Sequence, residues 1–258
     1  MKPLAEHVRE TPFVVCAHRG ASGVAPENTI AAICAAIDAG AEMVEIDVQV
    51  SGDGQFVVFH DDELERTTNG KGLVEQHSFE SLRTLDAGAW FHARFAGERI
   101  PLLADALEVL RGRAYLNIEI KPMAATSQRA AMLARVIGMV RDAGLIPYTV
   151  FSSFDHAALL YVKSVDPMLH TNALNIPGDS RPPHVVVSEC RADGYGCSID
   201  EVSAAIVEDA HRHFIPIGVY TVNTEQELFA MLDLGVNGVV TNYPNVIMRA
   251  LAAWKEHH

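Results

Sequence analysis

The stretch "MVEIDVQVSGDGQFVVFHDD", residues 43–62, decides how the surrounding chain folds. Val, Ile and Phe dominate it, as is typical of buried strands, and "SGDG" in its middle has the composition of a tight turn. Only these four residues separate the two apolar runs, whereas a parallel crossover needs a dozen or more residues. The stretch therefore predicts an antiparallel hairpin.

Two carboxylates interrupt the first strand of this hairpin. Side chains at positions i and i+2 of a strand point to the same face, so Glu45 and Asp47 share one face. Burying two neighbouring carboxylates is costly unless something positive lies beside them. The return leg of the hairpin brings His60 near the level of Asp47. A solvated strand edge is the alternative interpretation of the carboxylate pair.

Short β-rich runs alternate with helical patterns along the rest of the chain. Strands that alternate with helices of this length indicate a parallel sheet. Eight such strands predict an α/β fold of the closed (β/α)8 TIM-barrel class, with the hairpin protruding after strand 2. The predicted strands are 13–18, 43–50, 114–120, 148–153, 168–174, 194–199, 215–222 and 238–242, and the predicted helices include 28–40, 103–112, 127–144, 198–213 and 223–235.

Residues 62–101 break this alternation, because they are rich in glycine, charge and aromatic side chains and contain no barrel strand. We predict that they form an insertion over one end of the barrel, where a segment of this length is usually functional. The 258 residues, 49% of them hydrophobic, are enough for one large core. Residues 1–258 are therefore predicted to form a single TIM-barrel domain with a small insertion.

The net charge of -13 argues against nucleic acid or an anionic membrane as a main partner. No segment approaches the roughly 18 to 20 apolar residues of a membrane helix, and the N-terminus does not resemble a secretory signal. The four cysteines show no CxxC spacing. Reduced thiols and a cytoplasmic location are therefore expected.

Polar side chains gather at the predicted C-terminal ends of three consecutive barrel strands, where active sites of such barrels lie. Three carboxylates without a cysteine favour a hard divalent cation, Mg²⁺ or Ca²⁺. Two histidines suit acid–base work near neutral pH, and an arginine and a lysine suit an anionic oxygen. Together these groups are typical of phosphate-ester hydrolysis. They are His18, Arg19, Glu45, Asp47, His60, Glu119 and Lys121.

Each of these groups alone has a structural alternative. A histidine at a strand end, such as His18, is usually structural, and Lys121 could simply be salt-bridged to Glu119. Seven groups at matching ends of three strands favour one site instead. In "VAPENT" the first explanation is a helix start, capped by Asn28 or Thr29, and the second is that Pro26 and Glu27 face the site. The remaining histidines are expected to be surface or structural: His7, His77, His92, His156, His170, His184, His211 and His213.

These residues, in this order, resemble the glycerophosphodiester phosphodiesterase family. The matching stretches are "AHRGASGVAPENT", "GAEMVEIDVQVSGDGQFVVFHDDELERTTNGKG", "NIEIKP", "VFSSF", "VYTVN" and "GVVTNYP", which span nearly the whole chain. The resemblance implies a (β/α)8 barrel that hydrolyses glycerophosphodiesters to sn-glycerol 3-phosphate and an alcohol with Mg²⁺ or Ca²⁺. The roles that it implies are metal ligation by Glu45, Asp47 and Glu119, acid–base catalysis by His18 and His60, phosphate contacts by Arg19 and Lys121, and an aromatic wall against glycerol by Tyr220.

Two positions depart from the family pattern: Tyr220 stands where many relatives have Trp, and Asn242 stands where others have Asp. The sequence leaves open which histidine is the acid, and whether the glycerol 2-hydroxyl or water attacks phosphorus. A metal-dependent lyase or enolising enzyme with Lys121 as base, and a non-catalytic phosphodiester binder, are the rival functions. The histidine pair with Arg19 at hand favours phosphoryl transfer. A homo-oligomer is compatible with the sequence, which gives neither the native metal nor the preferred alcohol.

Overall fold

Eight parallel strands close into a barrel in this structure, which is a computed structural model. The structure describes residues 1–121 and 126–256, without the side chains of residues 126–129. The first strand pairs with both the second and the last, which closes the ring. The predicted (β/α)8 class is therefore confirmed. In chain order the strands are β1 Val14–Ala17, β2 Met43–Val50, β3 Phe56–Val58, β4 Tyr115–Ile120, β5 Thr149–Ser153, β6 His170–Leu174, β7 Gly194–Ser198, β8 Ile217–Tyr220 and β9 Gly238–Thr241, of which all but β3 belong to the barrel.

Helices cover the outside of the barrel between successive strands. The described residues form α1 Leu4–Glu10, α2 Ile30–Asp38, α3 Phe79–Leu82, α4 Leu103–Leu110, α5 Thr126–Asp142, α6 His156–Val165, α7 Pro183–Cys190, α8 Ala204–Arg212, α9 Glu225–Leu234 and α10 Pro244–Lys255. No helix in this described part of the chain has both the length and the apolar composition needed to cross a membrane.

The hairpin has the predicted antiparallel pairing, with Val48 opposite Val58 and Val50 opposite Phe56. Just beyond β3, the backbone N–H of Phe59 donates to the carbonyl oxygen of Asp47 at 3.1 Å. The next residue, His60, therefore lies at the level of Asp47, as the sequence predicts.

The predicted start of the helix at 198–213 is wrong. Residues 198–203 end a strand and then turn, and α8 begins only after Ser203, whose hydroxyl oxygen accepts a hydrogen bond from the N–H of Ile206. Serine is a strong N-cap residue, and this local hydrogen bond overrides the apolar pattern that runs through the turn. The other predicted helices match within three residues at each end.

The insertion packs around its own apolar cluster, beside the hairpin. Two 3₁₀ turns, Val74–Gln76 and Ala93–Phe95, flank the short α3. The cluster joins buried side chains of the hairpin to those of the insertion: Val57, Phe59, Leu64, Val74, Leu82, Ala87 and Ile100. Burial of these side chains anchors the insertion to the hairpin.

Candidate active site

The loop after β1 holds His18 and Arg19 against the end of β2. The backbone N–H of Arg19 donates to the Glu45 carboxylate at 2.7 Å, and Arg19 adopts a left-handed backbone with φ of 54°. Gly20 follows with φ of 76°, and a Cβ on it would lie 2.5 Å from the carbonyl carbon of Ala32 in α2. Only glycine fits this close approach. The turn therefore fixes where His18 and Arg19 leave the strand.

Three carboxylates converge beside this loop. Asp47 of β2 lies opposite Glu119 of β4 in the parallel register, and Glu45 lies one step earlier on the same face. Glu45, Asp47 and Glu119 each offer an oxygen atom, and these atoms lie within 4.8 Å of one another. Glu45 is 3% exposed and Asp47 is fully buried, so neither is a solvated strand edge.

Two cationic side chains partly neutralise the carboxylate cluster. The Lys121 Nζ lies 2.5 Å from Asp47 Oδ1 and 2.6 Å from Glu119 Oε1, and Arg19 Nε lies 3.4 Å from Asp47 Oδ2. Burial opposes the charge of Asp47, yet Lys121 and Arg19 hold the pKa of this carboxyl below its usual value. Burial, Asp47 and Glu119 together raise the pKa of Glu45 well above its usual value. The salt bridge of Lys121 to Glu119 thus exists, within a larger cluster.

The donor set fits a hard divalent cation. Among the described residues, the buried Glu45 Oε1 atom has no hydrogen-bond partner. Such an orphaned oxygen costs free energy unless a cation meets it. Three carboxylates also outnumber the two cationic side chains, and all three offer oxygen, which Mg²⁺ and Ca²⁺ prefer. Asn28 steadies the cluster, because its side-chain amide donates to Asp47 Oδ2 at 2.8 Å.

His18 is partly buried and faces an amide. Its Nδ1 lies 2.7 Å from Asn242 Oδ1, which also accepts a hydrogen bond from the Ser22 hydroxyl at 2.9 Å. Because an amide oxygen only accepts, Nδ1 must carry the proton and Nε2 keeps its lone pair. Burial and the neighbouring charge of Arg19 lower the pKa of His18 to about 4. At neutral pH His18 is therefore a neutral proton acceptor.

His60 is backed by a carboxylate instead. Its Nδ1 lies 2.5 Å from Asp61 Oδ1, and Arg66 Nε lies 2.5 Å from the other oxygen of Asp61. Burial opposes the charge of Asp61, but hydrogen bonds from Arg66 and His60 lower its pKa to about 2. Asp61 is thus an anion that can balance a positive charge on the imidazole of His60.

Glu27 joins the two histidine-bearing loops. Arg66 donates to both Glu27 oxygens at 2.8 and 2.7 Å, and Arg19 donates to Glu27 at 2.8 Å. A continuous chain of charged hydrogen bonds therefore runs from Asp61 through Arg66 and Glu27 to Arg19. Such networks restrict the rotamers of every member.

Tyr220 lies at the C-terminal end of β8, on the same end of the barrel. It is partly buried and meets Phe154 edge to face at 6.2 Å between ring centroids. Burial raises the pKa of its hydroxyl. An aromatic pair thus lines this side of the barrel mouth, while the other predicted residues gather around β1, β2 and β4.

Sequence reasoning missed the residues that position the histidines. Asp61, directly after His60, carried a readable signal, since a carboxylate beside a histidine commonly orients it. Arg66 gave none, because it lies in the insertion and reaches Glu27 only through the fold. Thr29 caps α2 as one of the two predicted candidates, and Asn28 binds Asp47 instead.

Comparisons with known proteins agree with this geometry. The family model of the glycerophosphoryl diester phosphodiesterase family matches residues 18–246. A glycerophosphodiester phosphodiesterase of Caldanaerobacter subterraneus is 34% identical to this chain, and the match covers 91% of this chain and 96% of that protein.

Solved structures agree in fold as well. The Oleispira antarctica phosphodiesterase in complex with the product sn-glycerol-3-phosphate is 31% identical, with a TM-score of 0.86 over 95% of this chain and 99% of that one. A glycerophosphodiester phosphodiesterase of Agrobacterium tumefaciens is 31% identical, with a TM-score of 0.79 over 91% of this chain and 98% of that one. The chain belongs to the glycerophosphoryl diester phosphodiesterase family.

Proposed function

We propose that this protein hydrolyses glycerophosphodiesters to sn-glycerol 3-phosphate and an alcohol, with a divalent cation, at the rim formed by β1, β2 and β4. The observation that carries the proposal is the buried carboxylate cluster flanked by two histidines, each backed by a different partner. Family membership and the product complex of the Oleispira antarctica relative support the substrate class.

Glu45, Asp47 and Glu119 would hold the cation, either Mg²⁺ or Ca²⁺. The orphaned Glu45 oxygen and the all-oxygen donor set support this assignment. When bound, such a cation supplies charge neutralisation and polarisation of the phosphodiester.

Arg19 and Lys121 would contact the phosphate oxygens. Burial disfavours the charge of Lys121, but Asp47 and Glu119 raise its pKa, so its ammonium is charged at neutral pH. Arg19 is held in place by Glu27 and Asp47. Two fixed positive charges stabilise the additional negative charge that develops on phosphate during the displacement.

The different partners of the two histidines support different roles for them. His18 is neutral with a free Nε2 lone pair, so it takes the proton of the attacking hydroxyl. His60 has the Asp61 carboxylate behind it to balance an imidazolium, so its Nε2–H protonates the departing alkoxide. One P–O bond forms to the attacking oxygen while the P–O bond to the alcohol breaks. The attacker is either the glycerol 2-hydroxyl, giving a cyclic phosphate that water opens, or water itself.

A cavity of about 630 Å³ adjoins Lys121 and supports a role for the insertion in substrate choice. It lies between the hairpin, the insertion and α5, and its lining includes Gln49, Asp62, Glu75 and Arg135. We propose that the departing alcohol occupies it. In this proposal the barrel and the insertion act as one catalytic domain on a small-molecule substrate. The cytoplasmic location and the homo-oligomer remain predictions.

The test is product analysis on a panel of glycerophosphodiesters in ¹⁸O-labelled water. We expect sn-glycerol 3-phosphate carrying ¹⁸O in its phosphate, because both routes end with water attacking phosphorus. A cyclic phosphate detected by ³¹P NMR at early times identifies attack by the 2-hydroxyl.

The rivals give other results. A lyase would release a product without ¹⁸O, and a non-catalytic binder would hold the substrate without turnover. Either outcome, found across the panel with cation saturating, would reject the proposed function.

A further inference from the structure

A second group of metal-binding side chains lies on two barrel helices, outside the catalytic rim. His184 lies in the first turn of α7, Asp209 lies in α8, and His213 caps the C-terminal end of α8. Each residue offers a ligand atom, and these atoms lie within 4.8 Å of one another. None of the three residues belongs to the catalytic cluster or to its hydrogen-bond network.

The nitrogen and oxygen atoms already have distances close to those of a metal site. The Nδ1 of His184 lies 2.9 Å from Asp209 Oδ1, and the Nδ1 of His213 lies 3.7 Å from the same oxygen. Ligand atoms placed about 2.1 Å from a tetrahedral Zn²⁺ lie about 3.4 Å apart. The two distances fall on either side of this value, so both contacts are close to the ligand spacing of a zinc site.

Binding a cation would exchange contacts that the imidazole rings already make, because His184 Nδ1 lies 2.9 Å from Asp209 Oδ1 and His213 Nδ1 lies 2.9 Å from the backbone carbonyl oxygen of Asp209. The two rings are stacked, with 4.2 Å between ring centroids and 17° between ring planes, so one ring must turn for both Nδ1 lone pairs to meet. The side chains of His184 and His213 are 39% and 41% exposed. Solvent can therefore accept the Nε2–H of each ring when Nδ1 binds the cation.

Asp209 has the surroundings of a ligand in need of a cation. Its side chain is only 14% exposed, and within the described residues it has no lysine or arginine partner within 4.0 Å. Its carboxylate oxygens accept from the backbone N–H of His184 at 3.0 Å and lie 2.9 Å from His184 Nδ1, while His213 Nδ1 lies 3.7 Å away. A nearly buried carboxylate that faces two imidazoles is a typical start of a metal site.

We propose that His184, Asp209 and His213 bind a transition-metal cation, with Zn²⁺ as the best match, and thereby join α7 to α8. Two imidazole nitrogens and one carboxylate oxygen suit Zn²⁺, Ni²⁺ or Cu²⁺, whereas Mg²⁺ and Ca²⁺ require oxygen ligands. The protein would thus have two sites of different preference: the carboxylates of the rim would bind hard cations, and the site between α7 and α8 would bind a borderline-soft cation. Because the fourth position faces solvent, water completes the coordination.

The proposal is tested by Zn²⁺ titration calorimetry on the full chain with Mg²⁺ saturating the catalytic carboxylates. His257 and His258 are replaced by serine in every sample, because adjacent histidines bind Zn²⁺ on their own. The test variant carries His184→Asn and His213→Asn. The matched control is His211→Asn, which removes an exposed histidine of the same helix.

We expect the parent and the His211→Asn control to bind one more Zn²⁺ per chain than the double variant. At a hundredfold excess of free Zn²⁺ over Kd, Tm should rise by about 5–10 °C in the parent and the control only. Co²⁺ used in place of Zn²⁺ should give visible absorption bands of a four-coordinate site in the same two proteins.

Retention of the additional Zn²⁺ by the double variant would overturn the proposal, and so would a parent that binds none. Circular dichroism checks the fold of each variant. If the double variant does not fold, the two single variants replace it, since either substitution alone removes a required ligand.

Discussion

Replacing Asn242 by Asp should raise the pKa of His18 toward physiological pH. In the structure, the Asn242 Oδ1 atom lies 2.7 Å from His18 Nδ1 and carries no net charge. A carboxylate at this position would stabilise the imidazolium, so the pKa of His18 should rise. The substitution keeps the shape of the side chain and changes only its charge.

The size of the pKa shift follows from the distance between His18 Nδ1 and the side chain at position 242. Two unit charges 2.7 Å apart interact by about 6 kcal/mol at an effective dielectric constant of about 20, before the cost of burying the carboxylate. Measured shifts for such pairs are about 1–3 pKa units, or about 1.4–4 kcal/mol. The pKa of His18 should therefore rise from about 4 to roughly 5–7.

The assay is a ¹⁵N NMR titration of the histidine ring nitrogens in metal-free protein, compared for wild type, Asn242→Asp and Ser22→Ala. Ser22→Ala removes the other donor to Asn242 without adding a charge, so its His18 should titrate with that of the wild type. In the Asp variant the acid limb of kcat/KM should move to higher pH as well, because a protonated base is inactive. An unchanged or lowered pKa of His18 in Asn242→Asp would show that the charge at position 242 does not control this histidine.

Three further predictions concern the same rim and the cavity beside it. Asp47→Asn should weaken Mg²⁺ or Ca²⁺ binding at least about tenfold in calorimetry, because the neutral amide loses the charge of a cation ligand; undiminished affinity would remove Asp47 from the donor set. His18→Ala and His60→Ala should each lower kcat by about 10²–10⁴-fold on a natural substrate, and a p-nitrophenyl diester should partly rescue only His60→Ala, since that leaving group needs no acid; rescue of His18→Ala alone would reverse the role assignment. Asp62→Asn combined with Glu75→Gln should lower kcat/KM for diesters of cationic alcohols more than for diesters of neutral ones, and an unchanged ranking would make the insertion a structural cap.

The hairpin and the carboxylate cluster were accessible from sequence because short-range rules govern both. Four residues between two apolar runs exclude a parallel crossover, and the alternation of side chains fixes which carboxylates share a face. Parallel strands that end at the same level then bring Asp47 beside Glu119. Local periodicity and barrel symmetry are sufficient for that part of the site.

The groups that position the histidines depend on contacts between distant parts of the chain. Arg66 meets Glu27 across 39 positions, and Asn242 meets His18 across 224, so no local pattern reveals either pair. The same holds for His184 and Asp209, which lie 25 positions apart, and His184 was expected from the sequence to be surface or structural. These contacts are set by how the insertion and the last helices pack, which a local pattern does not encode.

A cation held by Glu45, Asp47 and Glu119 is expected to enable hydrolysis. The most direct test titrates metal-free protein with Mg²⁺ or Ca²⁺ and follows bound cation and release of sn-glycerol 3-phosphate in the same sample. Activity should rise from background in proportion to occupancy of one site, and Glu45→Gln should show both curves displaced to higher cation concentration. Full activity in the metal-free protein, or cation binding that leaves the rate unchanged, would rule out this role of the cation.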